Sequence, residues 1–593
     1  MPTTLPTAFS TIIRRYTTEI SLILLTLLTR IPVVSHYLYS WDAAQLSLAM
    51  EYFDMQQHRP HPPGYIIYVA LGKITNFFIH NANTTYVTLS ILAMIATVLL
   101  GYHFALLLTT RRPTRRRFAL IVALLLIVNP YMWFYSEVAA TYIFDSLFAA
   151  LFAYLTLRII KHHNPRTLLW FTLFLALSGG IRQTLIILFA PLYLFALAYL
   201  LVRKKIRLGD VALHALVGAA AITLWLLPLL ALSGGPAQYF QTASYHFHSV
   251  GSGTSIFQDA TWAVTWGQAK DVAKTSLVAL NVLLLAPLLL LLRSPRWLKN
   301  WSSQQSSQQN SRQVRRRDIW HRHILRNPLV YLFALLLVPS FFVYIFMHFG
   351  NPGYISSVAP TLVILFALPL LLYPPRWQIL FGALAILAFL TTFLFYDSPF
   401  LKSYTLGAKI AQRVNRADNW FAYHTRAKVK SISDDFGIHI EAARAYDPAT
   451  TVLLTEKGFN YRLPKSEVWV RNGVDYFRHI EYYLPQYDVY ELFWRDRRYF
   501  HVKNNSRLQI QKSTFVPLPP STETLVIITK DIDRDALAAS NITVTLLPDG
   551  QKLFTIDMRD RNRIMYAGYT LIKLAAPSII GTEYADCPFC FQN

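Results

Sequence analysis

The chain has 593 residues, of which 54% are hydrophobic and only 15% charged, and its formal net charge is +24. Its apolar residues exceed what one soluble core takes up and arrive in blocks of roughly 20, the length that crosses a hydrocarbon layer, so a purely soluble protein is excluded and a multi-pass membrane protein is expected. The positive charge does not point to nucleic acid: the basic residues lie in short runs between apolar blocks, where cytoplasmic loops hold them, and no aromatic-basic groove accompanies them.

Arg14 and Arg15 precede the first expected span, residues 18–40, and place the N-terminus in the cytoplasm. The next stretch, WDAAQLSLAMEYFDMQQHRPHPPGYIIY at 41–68, is too polar to cross a membrane. Trp41 belongs at the lipid-water boundary, which puts Asp42 just outside it. Pro62 and Pro63 fix φ and withhold two N–H donors, so no helix runs through them, and Gly64 relieves the turn. The apolar run that follows, to about residue 80, is short and carries Lys73, which suits a helix lying on the outer surface. With that segment not crossing, the five arginines of 111–117 fall inside, as charge asymmetry requires.

On that footing the second span is 87–110, the third 118–134 and the fourth 140–160. The fifth and sixth form one apolar stretch, 167–202, broken by SGGIRQ at 178–183; Arg203, Lys204, Lys205 and Arg207 then mark the inner side. Span seven, 211–232, leads to a polar aromatic loop expected at 233–272, and span eight, 274–292, to a low-complexity cytoplasmic loop, 293–327. Spans nine to eleven are 328–347, 355–373 and 377–396.

Beyond residue 396 charge rises and the periodicity changes. A helical region at 404–445 precedes short strand-like runs at 451–455, 487–494, 524–529 and 541–547. The fold class is therefore mainly α: a polytopic bundle of about 11 transmembrane helices with an interfacial helix in the first outer loop (1–396), then an extracytoplasmic soluble α/β domain (397–593). Cys587 and Cys590 form one CPFC in the tail, which cannot close a four-ligand zinc site; a small disulfide or two idle thiols is expected. Sequons at Asn83, Asn504 and Asn541 decide nothing, and no glycine-rich phosphate loop occurs.

Sorted by membrane face, the polar residues are lopsided. Asp42, Glu51, Asp54, His58, Arg59, His61, Glu137, Arg182, His246, His248, His348 and Tyr354 all fall on the outer side, while Asp145 comes closest to a charge within a span. An ion-coupled transporter would place acids near the midplane. An outer-surface site suits an enzyme whose substrate arrives partly in the lipid.

Asp42 after the first span, HPPGY at 61–65, SEV at 136–138, GGIRQ at 179–183 and NPGY at 351–354, in that order, resemble membrane glycosyltransferases of the GT-C superfamily. The nearest likeness is to the protein O-mannosyltransferase-like group, and more distantly to lipid A aminoarabinose transferase. The resemblance implies transfer of a sugar from a polyprenyl-phosphate carrier to an acceptor on protein, lipid or glycan at the outer face of the cell membrane, with inversion and with the first-loop acid as general base. Such a base is typically worth 10²- to 10⁴-fold. Asp42 is the expected base and Glu137 a substrate-positioning acid; Arg182 is the first choice to hold the phosphate, with Arg59, His61 and Lys73 behind it and Tyr65, His348 and Tyr354 as further substrate-binding candidates. Gln45 departs from the group's pattern, which has a second acid there, so no metal ion is expected, and no cofactor beyond the lipid-linked donor. The alternative reading is a flippase or transporter of a lipid-linked sugar.

Overall fold

The computed structural model describes residues 5–109, 112–292, 327–395, 426–457, 459–462, 469–472, 477–493, 497–503, 508–528, 542–547, 552–566 and 568–574. The CPFC tail, most of the loop expected at 293–327 and the first part of the helical region expected at 404–445 lie outside them.

The helices are α1 (Leu5–Arg30), α2 (Trp41–Glu51), α3 (Ile66–Ile79), α4 (Ala82–Leu108), α5 (Arg112–Val128), α6 (Pro130–Tyr135), α7 (Tyr142–His162), α8 (Pro165–Ile181) and α9 (Thr184–Val202). They continue with α10 (Leu208–Leu232), α11 (Pro236–Ser252), α12 (Trp262–Leu280), α13 (Leu285–Leu292), α14 (Pro328–Phe346), α15 (Ala359–Ala367), α16 (Pro375–Phe395), α17 (Arg426–Ala443) and α18 (Phe477–Tyr483). Four begin or are entered in one way. Asn129, Asn164, Asn327 and Asn351 each precede a proline, and each side-chain oxygen accepts a backbone N–H of the first turn, at 3.2, 2.9, 3.0 and 2.8 Å in turn. Asparagine caps the exposed N–H groups while proline supplies a helical φ and lacks the donor that would go unpaired.

Among the described residues, eight helices are long and apolar enough to cross a bilayer: Tyr16–Val33, Ala82–Leu108, Tyr142–His162, Thr184–Val202, Leu208–Leu232, Trp262–Leu288, Pro328–Phe346 and Pro375–Leu394. The count of eleven expected from the sequence is therefore not reached by length and composition. α8 has 17 residues, the apolar helix at Ala359–Leu372 is also short, and α5 begins in the arginine run. α3, with 14 residues, is about 21 Å long, less than the ~30 Å of a hydrocarbon core, which agrees with a segment that does not cross. The loop expected at 233–272 is a correction: α11 fills its first half and α12 starts ten residues before its end, at Trp262. Gly234 and Gly235, at φ of 85° and 102°, make the turn before α11 and Pro236 opens it, so a stretch that reads as polar and aromatic is a helix.

The chain forms two compact units, and they are not consecutive stretches. The first comprises Met1–Ser35, Tyr65–Ala231 and Phe247–Lys430; the second comprises His36–Gly64, Leu232–His246 and Ser431–Asn593. In the first unit, α4 packs on α5 and α7, and α8 on α9. Close helix contacts use glycine: a Cβ on Gly180 would lie 2.5 Å from Ile67 and 3.0 Å from Trp225. Interhelical hydrogen bonds add to this, among them Asn129 Nδ2 to the Ala279 carbonyl (2.8 Å) and Ser146 Oγ to the Ser356 carbonyl (2.8 Å). Leu28, Ile187, Leu216 and Leu224 point outward, as lipid-facing positions should.

The second unit is built on a seven-stranded mixed sheet ordered β6-β5-β4-β1-β8-β10-β9. β1 (Thr451–Lys457) runs parallel to both β4 (Asp488–Phe493) and β8 (Thr524–Ile528); the pairs β4 with β5 (Arg498–Val502), β5 with β6 (Gln509–Gln511), β8 with β10 (Lys552–Asp557) and β10 with β9 (Thr543–Leu546) are antiparallel. β2 (Phe459–Arg462) pairs with β3 (Trp469–Asn472), and β7 (Phe515–Leu518), β11 (Arg563–Tyr566) and β12 (Tyr569–Lys573) form a small second sheet. Successive side chains of a strand alternate between faces. Leu453, Val489 and Val526 accordingly pack under α17 and α18, while Val452, Leu454, Leu525 and Ile527 pack against the small sheet. Both faces are covered, which is why TVLLT and TLVII read as continuous apolar runs rather than alternating ones. The expected mainly helical chain with candidate membrane helices and a C-terminal strand-containing domain is what the structure has, but the strand-containing unit also takes in residues 36–64 and 232–246.

Candidate active site

In the second unit, α2 starts at Ser40, whose hydroxyl accepts the Ala43 N–H (3.2 Å) and frees the first turn to carry an acid. That acid is Asp42, with its side chain 52% exposed. His61 Nδ1 lies 3.8 Å from Asp42 Oδ1 and 2.9 Å from Gln45 Oε1. The contact with Gln45 holds the imidazole beside the carboxylate. His246 approaches the rings of His58 and His61, with centroids 5.9 and 6.3 Å apart. Gly64 at φ 110° makes the turn of HPPGY. Among the described residues no three His, Cys, Asp or Glu side chains gather closely enough to hold a metal ion.

Arg59, a second choice for a phosphate ligand, is turned the other way. It is 2% exposed and ion-pairs with Glu481 on α18. Lys73 is exposed on α3.

In the first unit, Arg182 caps the C-terminal end of α8 and is held by Asp145 from the first turn of α7. Its guanidinium carbon sits 4.9 Å from the ring centre of Tyr142 and 5.2 Å from that of Tyr354, within cation–π range. Gly353 allows this: a Cβ there would lie 2.6 Å from the Tyr142 ring. His348 packs on Tyr354 with centroids 5.7 Å apart and contacts Thr254 Oγ1 at 3.1 Å. Burial, and secondarily the charge of Arg182, push the His348 imidazole down to about 4. Tyr65 is close enough for its hydroxyl to act electrostatically on Arg182. Four of the residues singled out in the sequence, Tyr65, Arg182, His348 and Tyr354, thus form one aromatic, cationic cluster.

Glu137 is elsewhere. It is 0% exposed, receives the Trp133 indole N–H, and has Arg30 as its main electrostatic partner; burial pushes its carboxyl well above the usual carboxylate range. Arg30, fully buried, donates to Ser136 Oγ (2.8 Å) and stacks 4.6 Å from the Trp133 ring. Glu137 therefore faces the packed interior of the first unit. Asp145 and Tyr142 were missed as site residues in the sequence. The available signal was the acid itself, because a carboxylate near the start of an apolar helix needs a cationic partner.

Residues 53–208 match the family model described as the protein O-mannosyl-transferase TMEM260 N-terminal domain, a segment that contains His61, Tyr65, Lys73, Asp145 and Arg182 but not Asp42. No curated protein matches the chain. Among solved structures, the crystal structure of ArnT from Cupriavidus metallidurans bound to undecaprenyl phosphate is similar with a TM-score of 0.49 at 12% identity, over 93% of this chain and 98% of that one. The apo state of the same protein gives 0.46 at 11% identity, over the same 93% and 98%. Over residues 53–208, which hold HPPGY, SEV and GGIRQ, the family match bears out the likeness to protein O-mannosyltransferases.

Proposed function

We propose that the chain is an integral-membrane glycosyltransferase that moves a sugar from a polyprenyl-phosphate carrier to an acceptor hydroxyl or amine at the outer face, with inversion. The observation that carries the reading is the match of residues 53–208 to a protein O-mannosyltransferase domain, in a chain whose first polar segment presents an exposed carboxylate. Asp42 takes the acceptor proton as the acceptor atom bonds to the anomeric carbon, and the bond from that carbon to the phosphate oxygen breaks with its electrons going to the phosphate. The phosphate needs cations more than protons, and Arg182 is the group assigned to it. Asp145 holds Arg182 until the donor's phosphate competes for it. His61, fixed by Gln45, supports the Asp42 carboxylate.

The test uses Asp42→Asn in membranes supplied with polyprenyl-phosphate sugars extracted from the producing cells, with released polyprenyl phosphate measured. Turnover is expected to fall about 10²- to 10⁴-fold at unchanged expression. Wild-type turnover in the variant, or an intact donor relocated to the opposite leaflet by the wild-type chain, overturns the reading.

A further inference from the structure

The segment bearing Asp42 belongs to the same compact unit as the C-terminal strand domain, though nearly four hundred residues separate them. The fastening is specific and comes mostly from one helix. Ahead of α2, the Leu38 N–H donates to Tyr483 Oη (2.9 Å) and His479 Nε2 donates to the Leu38 carbonyl (3.0 Å). After α2, Arg478 donates to the Gln57 carbonyl and Glu481 receives Arg59. Tyr483, His479, Arg478 and Glu481 all lie on α18 or at its last residue. The Leu508 N–H, from the same domain, donates to Gln57 Oε1 (3.0 Å).

The charges involved are buried. Arg478 is 0% exposed, Glu481 1% and Arg59 2%, and Glu481 uses one carboxylate oxygen for each arginine. Buried ion networks stabilise poorly compared with apolar packing of the same volume, but their fixed hydrogen-bond directions permit one arrangement. Apolar contacts alone would let a short helix slide or turn. Leu38 before α2 and Gln57 and Arg59 after it are held by directional bonds, and the Arg478 guanidinium carbon lies 5.9 Å from the ring centre of Trp41 in the first turn, so the segments that flank α2 are fixed chiefly by α18.

We propose that α18 is a positioning element for Asp42, with Glu481, Arg478 and Arg59 as positioning residues of the transfer. This rests on reading Asp42 as the base. The C-terminal domain is on this view a working part of the transfer machinery and not an appended acceptor-binding module.

The experiment is a double-mutant cycle on the full-length chain in membranes, with the same extracted polyprenyl-phosphate sugars as probe and with turnover and donor KM both read. Glu481→Gln is expected to lower turnover about 10- to 100-fold while donor KM stays within about threefold, and to add less than about twofold in the Asp42→Asn background. Glu481→Asp is expected to recover part of the turnover. Losses that multiply in the double variant mean a general structural role and overturn the proposal. Full turnover in Asp42→Asn alone defeats the base reading instead, whatever the cycle shows. If Glu481→Gln does not accumulate folded, Tyr483→Phe, which removes one bond to Leu38, decides: a fall of about three- to tenfold, absent with Asp42→Asn, supports positioning, and unchanged turnover overturns it.

Discussion

At the scale of single residues, charge alone did not say which polar groups are available. Asp42 and Glu137 both read as outer-side acids, yet one is half exposed and the other sealed against Trp133. Arg59 and Arg182 both read as phosphate ligands, yet each has a buried carboxylate partner that no short-range pattern names, Glu481 for one and Asp145 for the other. His348 gives this scale its pH prediction. Its folded-state pKa of about 4 is below the ordinary histidine value of about 6.5, so the unfolded chain binds the proton first and stability falls as pH drops from 6.5 toward 4. The penalty is at most about 3 kcal/mol. The apparent unfolding temperature in detergent should drop between pH 7 and pH 5 by more in the wild type than in His348→Gln, and equal drops would remove His348 as the cause.

At the scale of elements, much was legible. The prolines at 62 and 63 stop a helix, and the strand-like runs at 451–455, 487–494, 524–529 and 541–547 hold β1, β4, β8 and β9, while the four Asn-Pro pairs that start or introduce helices were not read as such. α11 was not read as a helix because it is short and low in apolar content, although Phe240, Ala243, Phe247 and Val250 recur at helical spacing. One turn joins element to site. Asn351 caps the short helical turn at Pro352–Ser357, and Gly353 within it lets the Tyr142 ring lie against the backbone while that ring covers Arg182. Gly353→Ala should therefore cost about 1–3 kcal/mol through overpacking and also lower turnover, measured by unfolding in detergent and by polyprenyl phosphate release. Alanine tolerated with full activity would show that the ring has room to shift.

At the scale of the whole molecule, orientation is the open expectation. Alternating the eleven spans expected from the sequence from a cytoplasmic N-terminus, with residues 64–80 on the surface, puts the C-terminal domain outside the membrane, whereas crossing by the eight long helices alone would put it inside. The only two cysteines of the chain, Cys587 and Cys590, report on it. After mild reduction, a membrane-impermeant thiol reagent should label intact cells as fully as permeabilised ones; labelling that requires permeabilisation would reverse the topology.

The sequence by itself determined the membrane class, the alternation of apolar helices with basic loops, the short length of α3, the strand domain and the likeness carried by its motifs, because hydropathy, proline and charge asymmetry act over a few residues at a time. Only the tertiary structure decided that residues 36–64 fold with the C-terminal domain, that Arg182 stands between Asp145 and two tyrosine rings, and that Glu137 is spent on the interior. Those outcomes depend on which buried charge finds which partner across tens to hundreds of residues, and a low-dielectric interior enforces that pairing only after the chain has folded.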